Sequence, residues 1–209
     1  MNPAILKLGP QARLVEVGKR CGQFSHHQTE INQKLVEAAK DYSIVVRLKG
    51  GDPMLFGRAQ EEIDALRAAG VPFEVVPGVT AALAAAAELK VSLTNRGVSR
   101  HVVFVTPRSA PNAAPNDWIT PVLRADTSAI YMGASEAAQL AAHLIAHGRP
   151  ADTPVVIARN VSLASSSRRS MTLAELALPV AEDSAGPVLI LLGEVYRKLL
   201  PPGADNGNR

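Results

Sequence analysis

A single cysteine, Cys21, in a chain of 209 residues excludes an internal disulfide and leaves no thiol set for a zinc site. A reducing cytoplasm is the compartment that suits such usage. Aromatic residues are scarce, 4% of the chain against 47% hydrophobic overall, so the interior has to be aliphatic and rich in alanine. No apolar run reaches the roughly 20 residues that cross a bilayer. The opening residues, Met1-Asn-Pro-Ala-Ile-Leu-Lys7, carry neither the apolar core nor the cleavage site of a signal peptide, and no membrane contact is expected. There is no lysine-rich run and no interleaving of basic with aromatic residues, which argues against nucleic acid as a partner. A Gly-x-Ser-x-Gly nucleophile motif is missing too. His26 and His27 are neighbours and so point in different directions. His143 and His147 share a helical face but have no third ligand nearby in sequence, so no metal site is expected.

What remains is a chain long enough for one large domain or two small ones. Its formal charge of +3 is unevenly spread: 14 Lys and Arg face 10 Asp and Glu over residues 1–109, and 8 face 9 over 110–209. A basic N-terminal half suits a polyanionic small molecule. Apolar periodicity predicts a helix over 28–40, Gly70 ends a second over 60–69, and Thr80 offers an N-cap to an alanine-rich helix over 81–89. β-branched runs predict strands over 45–48 and 72–76. Later strands are expected over 101–106, 128–132, 155–158 and 188–192, with a helix over 136–147 stopped by Gly148. Residues 162–170 are polar and read as a hairpin or mobile loop. Helix–strand alternation over 28–89 indicates a parallel α/β layer. The expected organisation is an N-terminal α/β domain over 1–98, a C-terminal α/β domain over 99–200 and a disordered tail over 201–209. A cleft between two such domains is a favoured place for a small ligand.

The most informative segment is Val45-Val-Arg-Leu-Lys-Gly-Gly-Asp-Pro-Met-Leu-Phe-Gly-Arg58. It starts as a strand pattern and breaks into a Gly-Gly-Asp-Pro turn. Gly50 and Gly51 have no Cβ, so a ligand can approach their backbone closely. Asp52 lies on the rim of the turn and Pro53 fixes its exit. Open loops at the carboxyl ends of strands are where open α/β sheets usually bind ligands.

Other motifs accompany it. Upstream is Val17-Gly-Lys-Arg20, then Gln28, Glu30, Ile31 and Asn32. Downstream are Gly57-Arg58, Glu61-Glu62, Val75-Val-Pro-Gly-Val-Thr-Ala81, Leu93-Thr-Asn-Arg-Gly97, Phe104-Val-Thr106 and Tyr131-Met-Gly133. In that order and spacing the set resembles the uroporphyrinogen-III C-methyltransferases of the tetrapyrrole methylase family, and the likeness runs over nearly the whole chain.

The resemblance implies two small α/β domains of the class III methyltransferase type, with S-adenosylmethionine in the cleft between them and S-adenosylhomocysteine as product. Family members open with a strand and a Gly-x-Gly-x-Gly-Asp-Pro loop, then a strand bearing an Asp thought to act as base. Residues 12–19 already resemble the segment that follows, so the first strand and first glycine loop are expected to be missing and the first domain incomplete. By resemblance Gly50, Gly51, Asp52 and Leu55 line the cofactor site, Thr80 and Ala81 contribute from the turn after Pro77-Gly78, and Met132 contributes from the second domain. Val161 stands where a cofactor-contacting glycine is common. Lys19 matches a lysine proposed as proton donor or substrate contact. Arg58 and Arg96 are candidates for substrate carboxylates, because guanidinium forks pair well with them. Either could instead pair with Glu61 or Glu62.

Several positions depart from the family pattern: Asn95 for His, Ala59-Gln60 for Gly-Gly, Pro107-Arg108 for Gly-His and Phe24 for His. The implied activity is methylation of uroporphyrinogen III towards precorrin-2, on the way to sirohaem or cobalamin, by a cytoplasmic homodimer. Two alternatives stand beside it: a non-catalytic relative that binds cofactor or pairs with another subunit, and a methylase acting later in cobalamin synthesis.

Overall fold

Helical periodicity in the first eighty residues is realised closely. Helix α1 (Gln28–Asp41) buries Ile31 and Gln28, and α2 (Ala59–Ala68) buries Ala59, Glu62 and Ile63. The 59, 62, 63 spacing is one face of a 3.6-residue helix. The architecture is that of a computed structural model, which describes residues 3–17, 28–109, 116–178 and 186–202. Lys19, Cys21, Phe24, His26, His27 and the tail from 203 onward lie outside the described residues.

The strands expected at 45–48 and 72–76 are not strands: neither segment pairs in a ladder. β-branched side chains favour an extended backbone, yet a strand exists only when a neighbour completes its hydrogen bonds. The side chains reflect this, with Ile44 81%, Val46 77% and Val76 72% exposed.

The chain divides into two compact units, 1–80 and 81–209. The boundary read from the sequence lies at 98/99. The difference is helix α3 (Ala81–Leu89) with the loop after it, whose Ala82, Ala85, Leu89 and Leu93 are buried against the sheet of the second unit.

That sheet contains β1 (Val102–Val105), β2 (Thr127–Tyr131), β3 (Pro154–Arg159), β4 (Ser167–Thr172) and β5 (Val188–Gly193) in the order β1-β2-β5-β3-β4. Among these only β1 and β2 run parallel; β2–β5, β5–β3 and β3–β4 are antiparallel. This sheet is mixed, while the parallel layer expected from residues 28–89 forms no ladder among the described residues of the first unit. Residues 160–166 are too short for a crossover, so β4 folds back on β3 as a hairpin. The hairpin reading of 162–170 agrees with this register, Ile157 opposite Arg169.

Both faces of the sheet are covered, which explains the unbroken apolar run of β5. Ile190 and Leu192 face a core shared with Val122 of α4 (Ile119–Arg124), Leu140 and Leu144 of α5 (Ala137–Ala146), and Leu173 and Leu176 of α6 (Leu173–Leu176). Leu189 and Leu191 face the other way, toward α3, Ala129 and Tyr196. Alanines at 82, 85 and 129 are at most 1% exposed. With so few aromatics, this side closes by bringing helix and sheet backbones near one another.

Candidate functional site

In the first unit the Gly50–Asp52 turn is held by its own carboxylate. Asp52 Oδ1 accepts from Met54 N at 2.7 Å, an Asx-type turn, and Oδ2 accepts from Gly78 N at 3.0 Å. Asp52 thus stitches the turn ending one extended segment to the Pro77-Gly78 turn ending the next. Gly51 takes φ 73°, the left-handed region that glycine enters without penalty. A Cβ built on Gly78 would overlap the Gly51 carbonyl oxygen, whereas a Cβ on Gly50 would meet nothing within 4 Å. Gly50 thus has open space beside it. Leu55, half-buried, closes the turn by donating its N–H to the Asp52 carbonyl at 3.3 Å.

Arg58, expected to meet substrate, makes a bidentate pair with Glu61. Nε and Nη2 donate to the two carboxylate oxygens at 2.7 Å each. Both side chains are 48% exposed, and the pairing with Glu61 raises the Arg58 pKa. A substrate carboxylate would share or displace this fork. Thr80 is buried at the end of the unit.

In the second unit Tyr131, at the end of β2, accepts a hydrogen bond from Ala82 N at 3.1 Å. This satisfies an otherwise unpaired amide in the first turn of α3 and ties Ala81-Ala82 to the residue before Met132. Phe104 packs edge-on against the Tyr131 ring at 6.2 Å. Met132 is 41% exposed with φ 57°, so it is not the ordinary core methionine that its residue type most often signals. Gly133 behind it is closely packed: an added Cβ would lie 3.3 Å from the side chains of Ile130 and Pro107, which would have to give by a few tenths of an ångström.

Val161 sits half-buried on the same face as Ala81 and Tyr131. Its neighbours Asn160 (φ 49°) and Ser162 (φ 67°) are both left-handed. Glu88 of α3 accepts from Ser162 N at 2.5 Å and Ser166 Oγ at 2.7 Å, fixing this loop to the helix. Arg96 is exposed beside a shallow hollow lined by Thr94, Asn95, Ser99 and Arg100. The structure therefore brings Ala81, Met132 and Val161 to one region of the second unit, and Gly50, Gly51, Asp52 and Leu55 to one turn of the first. Lys19 falls outside the described residues.

Sequence reasoning missed three contributors: Tyr131 through its hydroxyl, Glu88, and a partly buried ionic cluster of Arg47 and Lys49 around the buried Glu62. The first two act across 49 or more residues of chain, and no local signal marks them. The third was findable. Glu62 lies on the buried stripe of α2, and Arg47 and Lys49 share one side of an extended segment. Among the described residues no group of three His, Cys, Asp or Glu could hold a metal, and no helix is long and apolar enough to cross a membrane.

The chain is similar to known proteins in sequence and fold. The model of the tetrapyrrole (corrin/porphyrin) methylases matches residues 2–177. Siroheme synthase 1 of Klebsiella pneumoniae is 46% identical over 94% of this chain and 41% of its own length; siroheme synthase of Zymomonas mobilis is 41% identical over 93% and 41%. The chain thus spans about two fifths of the length of these curated relatives. Among solved structures, uroporphyrin-III C-methyltransferase from Thermus thermophilus, in complex with S-adenyl homocysteine, aligns with a TM-score of 0.70 and 36% identity, covering 82% of this chain and 75% of that one. A cobalt precorrin-4 methyltransferase aligns with a TM-score of 0.70 and 25% identity, covering 84% of this chain and 73% of that one. With the family model spanning both compact units, this chain belongs to the tetrapyrrole methylase family.

Proposed function

We propose that this chain transfers methyl groups from S-adenosylmethionine to uroporphyrinogen III, towards precorrin-2 and then sirohaem or cobalamin. The observation that carries this reading is the likeness to a uroporphyrin-III C-methyltransferase in complex with S-adenyl homocysteine, 36% identical over 82% of this chain. The precorrin-4 enzyme is more distant at 25% identity, which favours the uroporphyrinogen substrate over a later corrin.

In the reaction, a pyrrole carbon forms a bond to the methyl carbon as the bond from methyl to sulfonium sulfur breaks. Sulfur keeps the electron pair, S-adenosylhomocysteine leaves, and a proton departs from the macrocycle. The sulfonium is already a good leaving group, so the protein's task is mainly orientation, with acid–base help worth about 10²–10⁴-fold. In this reading Gly50, Gly51, Asp52 and Leu55, with Thr80, Ala81, Met132 and Val161, receive the cofactor. Arg58 and Arg96 take substrate carboxylates, Lys19 serves as the proton-handling group, and the enzyme works as a cytoplasmic homodimer. The open space beside Gly50, the exposure of Met132 and the basic surplus of residues 1–109 support these assignments.

Calorimetric titration with S-adenosylhomocysteine, followed by transfer of labelled methyl to uroporphyrinogen III, tests the reading. Saturable binding of one ligand per chain with turnover is the expected result. Binding without turnover would favour a non-catalytic cofactor-binding relative, and a folded protein that binds nothing would refute the proposal.

A further inference from the structure

The buried carboxylate of Glu62 has no place in the methyl-transfer chemistry, yet it accepts from three different side chains of the first unit. It is 4% exposed. Oε1 accepts from Gln28 Nε2 at 3.2 Å, Arg47 Nε at 3.2 Å and Lys49 Nζ at 3.1 Å, and Oε2 accepts from the same Lys49 Nζ at 3.1 Å. Arg47 Nη2 adds an ion-pair contact at 3.2 Å. Burying a carboxylate is costly unless such partners surround it. Replacing a buried ion pair by apolar residues is often no less stable. Stability alone is therefore a weak reason for the cluster, and its position suggests another.

Lys49 immediately precedes Gly50. Its ammonium is fixed by Glu62, and its stem lies across Gly57, where a Cβ would come within 3.1 Å of Lys49 Cε. Arg47 is fixed in the same way and donates Nη1 to the Leu48 carbonyl at 3.1 Å. Two consecutive glycines have more conformational freedom than any other pair, so the Gly50-Gly51 turn keeps one shape only if both ends are held. Asp52 holds the downstream end through Met54 and Gly78. Helix α2, through Glu62, holds the upstream end. Gln28 links the cluster to α1, where Asn32 also reaches the Glu61 carbonyl at 3.1 Å. The upstream anchor is thus fastened to two packed helices.

We propose that Glu62 is the positioning residue of the Gly50–Asp52 turn, holding Arg47 and Lys49 so that the turn presents its backbone in one conformation to the cofactor. The cofactor part of this inference rests on the function proposed above; the conformational part does not.

The test uses the full chain, the variant Glu62→Gln and the apolar replacement Arg47→Met/Lys49→Met/Glu62→Leu, in which all three charges of the cluster are removed. Two quantities are read: affinity for S-adenosylhomocysteine by calorimetry, and hydrogen exchange of the Met54 and Gly78 amides by NMR. Glu62→Gln is expected to weaken binding about tenfold or more and to speed exchange at both amides by a similar factor. The apolar replacement fills the site with uncharged side chains of similar size and is expected to unfold near the wild-type temperature. It should nevertheless keep the weak binding and fast exchange of Glu62→Gln. If the apolar replacement recovers both, the cluster only fills the core, and the proposal is overturned. Wild-type binding and exchange in Glu62→Gln would overturn it too. If the wild-type chain itself binds no S-adenosylhomocysteine, the proposed function fails, and amide exchange alone decides whether Glu62 holds the turn.

Discussion

Two glycines in one turn region should respond oppositely to the same added methyl group. Gly78→Ala places a Cβ against the Gly51 carbonyl oxygen, and the next nearest atoms, Gly51 C and Asp52 Cα at 3.2 and 3.3 Å, are backbone too. No flexible side chain can move aside, so one turn must shift. A shift on the order of 1 Å would also stretch the 3.0 Å bond from Gly78 N to Asp52 beyond hydrogen-bonding range. Overpacking against backbone costs about 1–3 kcal/mol, and a lost hydrogen bond adds about 1 kcal/mol, giving a destabilisation of about 2–4 kcal/mol. Neither glycine has a left-handed backbone, so the substitutions add no strain of φ and the contrast isolates the contacts.

Gly50→Ala meets nothing within 4 Å, and its stability should stay within about 0.5 kcal/mol of wild type. Its methyl group fills the space through which the cofactor is proposed to approach, so affinity for S-adenosylhomocysteine should drop about tenfold or more, the equivalent of about 1.4 kcal/mol. Urea denaturation and calorimetric titration of both variants read the two effects separately. A Gly78→Ala protein as stable as wild type would refute the Asp52 stitch. A Gly50→Ala protein with unchanged affinity would remove Gly50 from the cofactor site.

Thr172 and Glu175 form a complete capping box at the start of α6, with Thr172 Oγ1 accepting from Glu175 N at 3.2 Å and Glu175 Oε2 accepting from Thr172 N at 2.6 Å. Thr172→Ala should cost about 1 kcal/mol, seen as a melting temperature lower by about 2–4 °C; no change would mean that packing of Leu173 and Leu176 alone holds the turn. Asp126 accepts from the backbone amides of Arg100 at 2.7 Å and His101 at 3.0 Å, which hold its pKa below the usual carboxylate value. A depressed folded-state pKa contributes stability above the unfolded value of about 3.9 and loses it as pH falls through the folded value. Asp126→Asn should therefore flatten the acid limb of the stability curve below about pH 4, and an unchanged limb would show that other carboxylates set it.

How much was legible depends on how local the physics is. The three helices over residues 28–89 follow from local signals, apolar periodicity in the first, the Gly70 stop after the second and the alanine run after Thr80 in the third, and the apolar runs at 155–158 and 188–192 are strands because each is buried on both faces. The segments at 45–48 and 72–76 have the same β-branched composition and are not strands. Composition reports what a side chain prefers; pairing depends on a neighbour that the segment does not encode. The unit boundary moved for a related reason. Ala81–Leu89 carries no mark of which sheet it covers, and its small residues settle the matter only once Ala129 and Leu191 lie beneath them.

Backbone strain adds an argument that residue types could not. A left-handed conformation at a non-glycine residue is unfavourable, and it persists where surrounding structure enforces it. Among the described residues the non-glycine positions with positive φ are Phe56, Arg58, Lys90, Met132, Asn160 and Ser162. Lys90 is explained by its place just past the end of α3, where helices commonly turn left-handed. Every other one adjoins or is a proposed binding residue: Phe56 follows Leu55, Arg58 and Met132 are candidates themselves, and Asn160 and Ser162 flank Val161. Strain costs of order 1–3 kcal/mol at each such position, and a turn that only joined two elements would relax it by using glycine. Placed around the proposed ligand contacts, it supports a backbone shaped for binding rather than for connection. At Val161 this bears on the departure from glycine: its two strained neighbours, held by Glu88 and by the Asn160 amide on the Pro187 carbonyl at 3.0 Å, fix the loop path that a glycine would otherwise leave free.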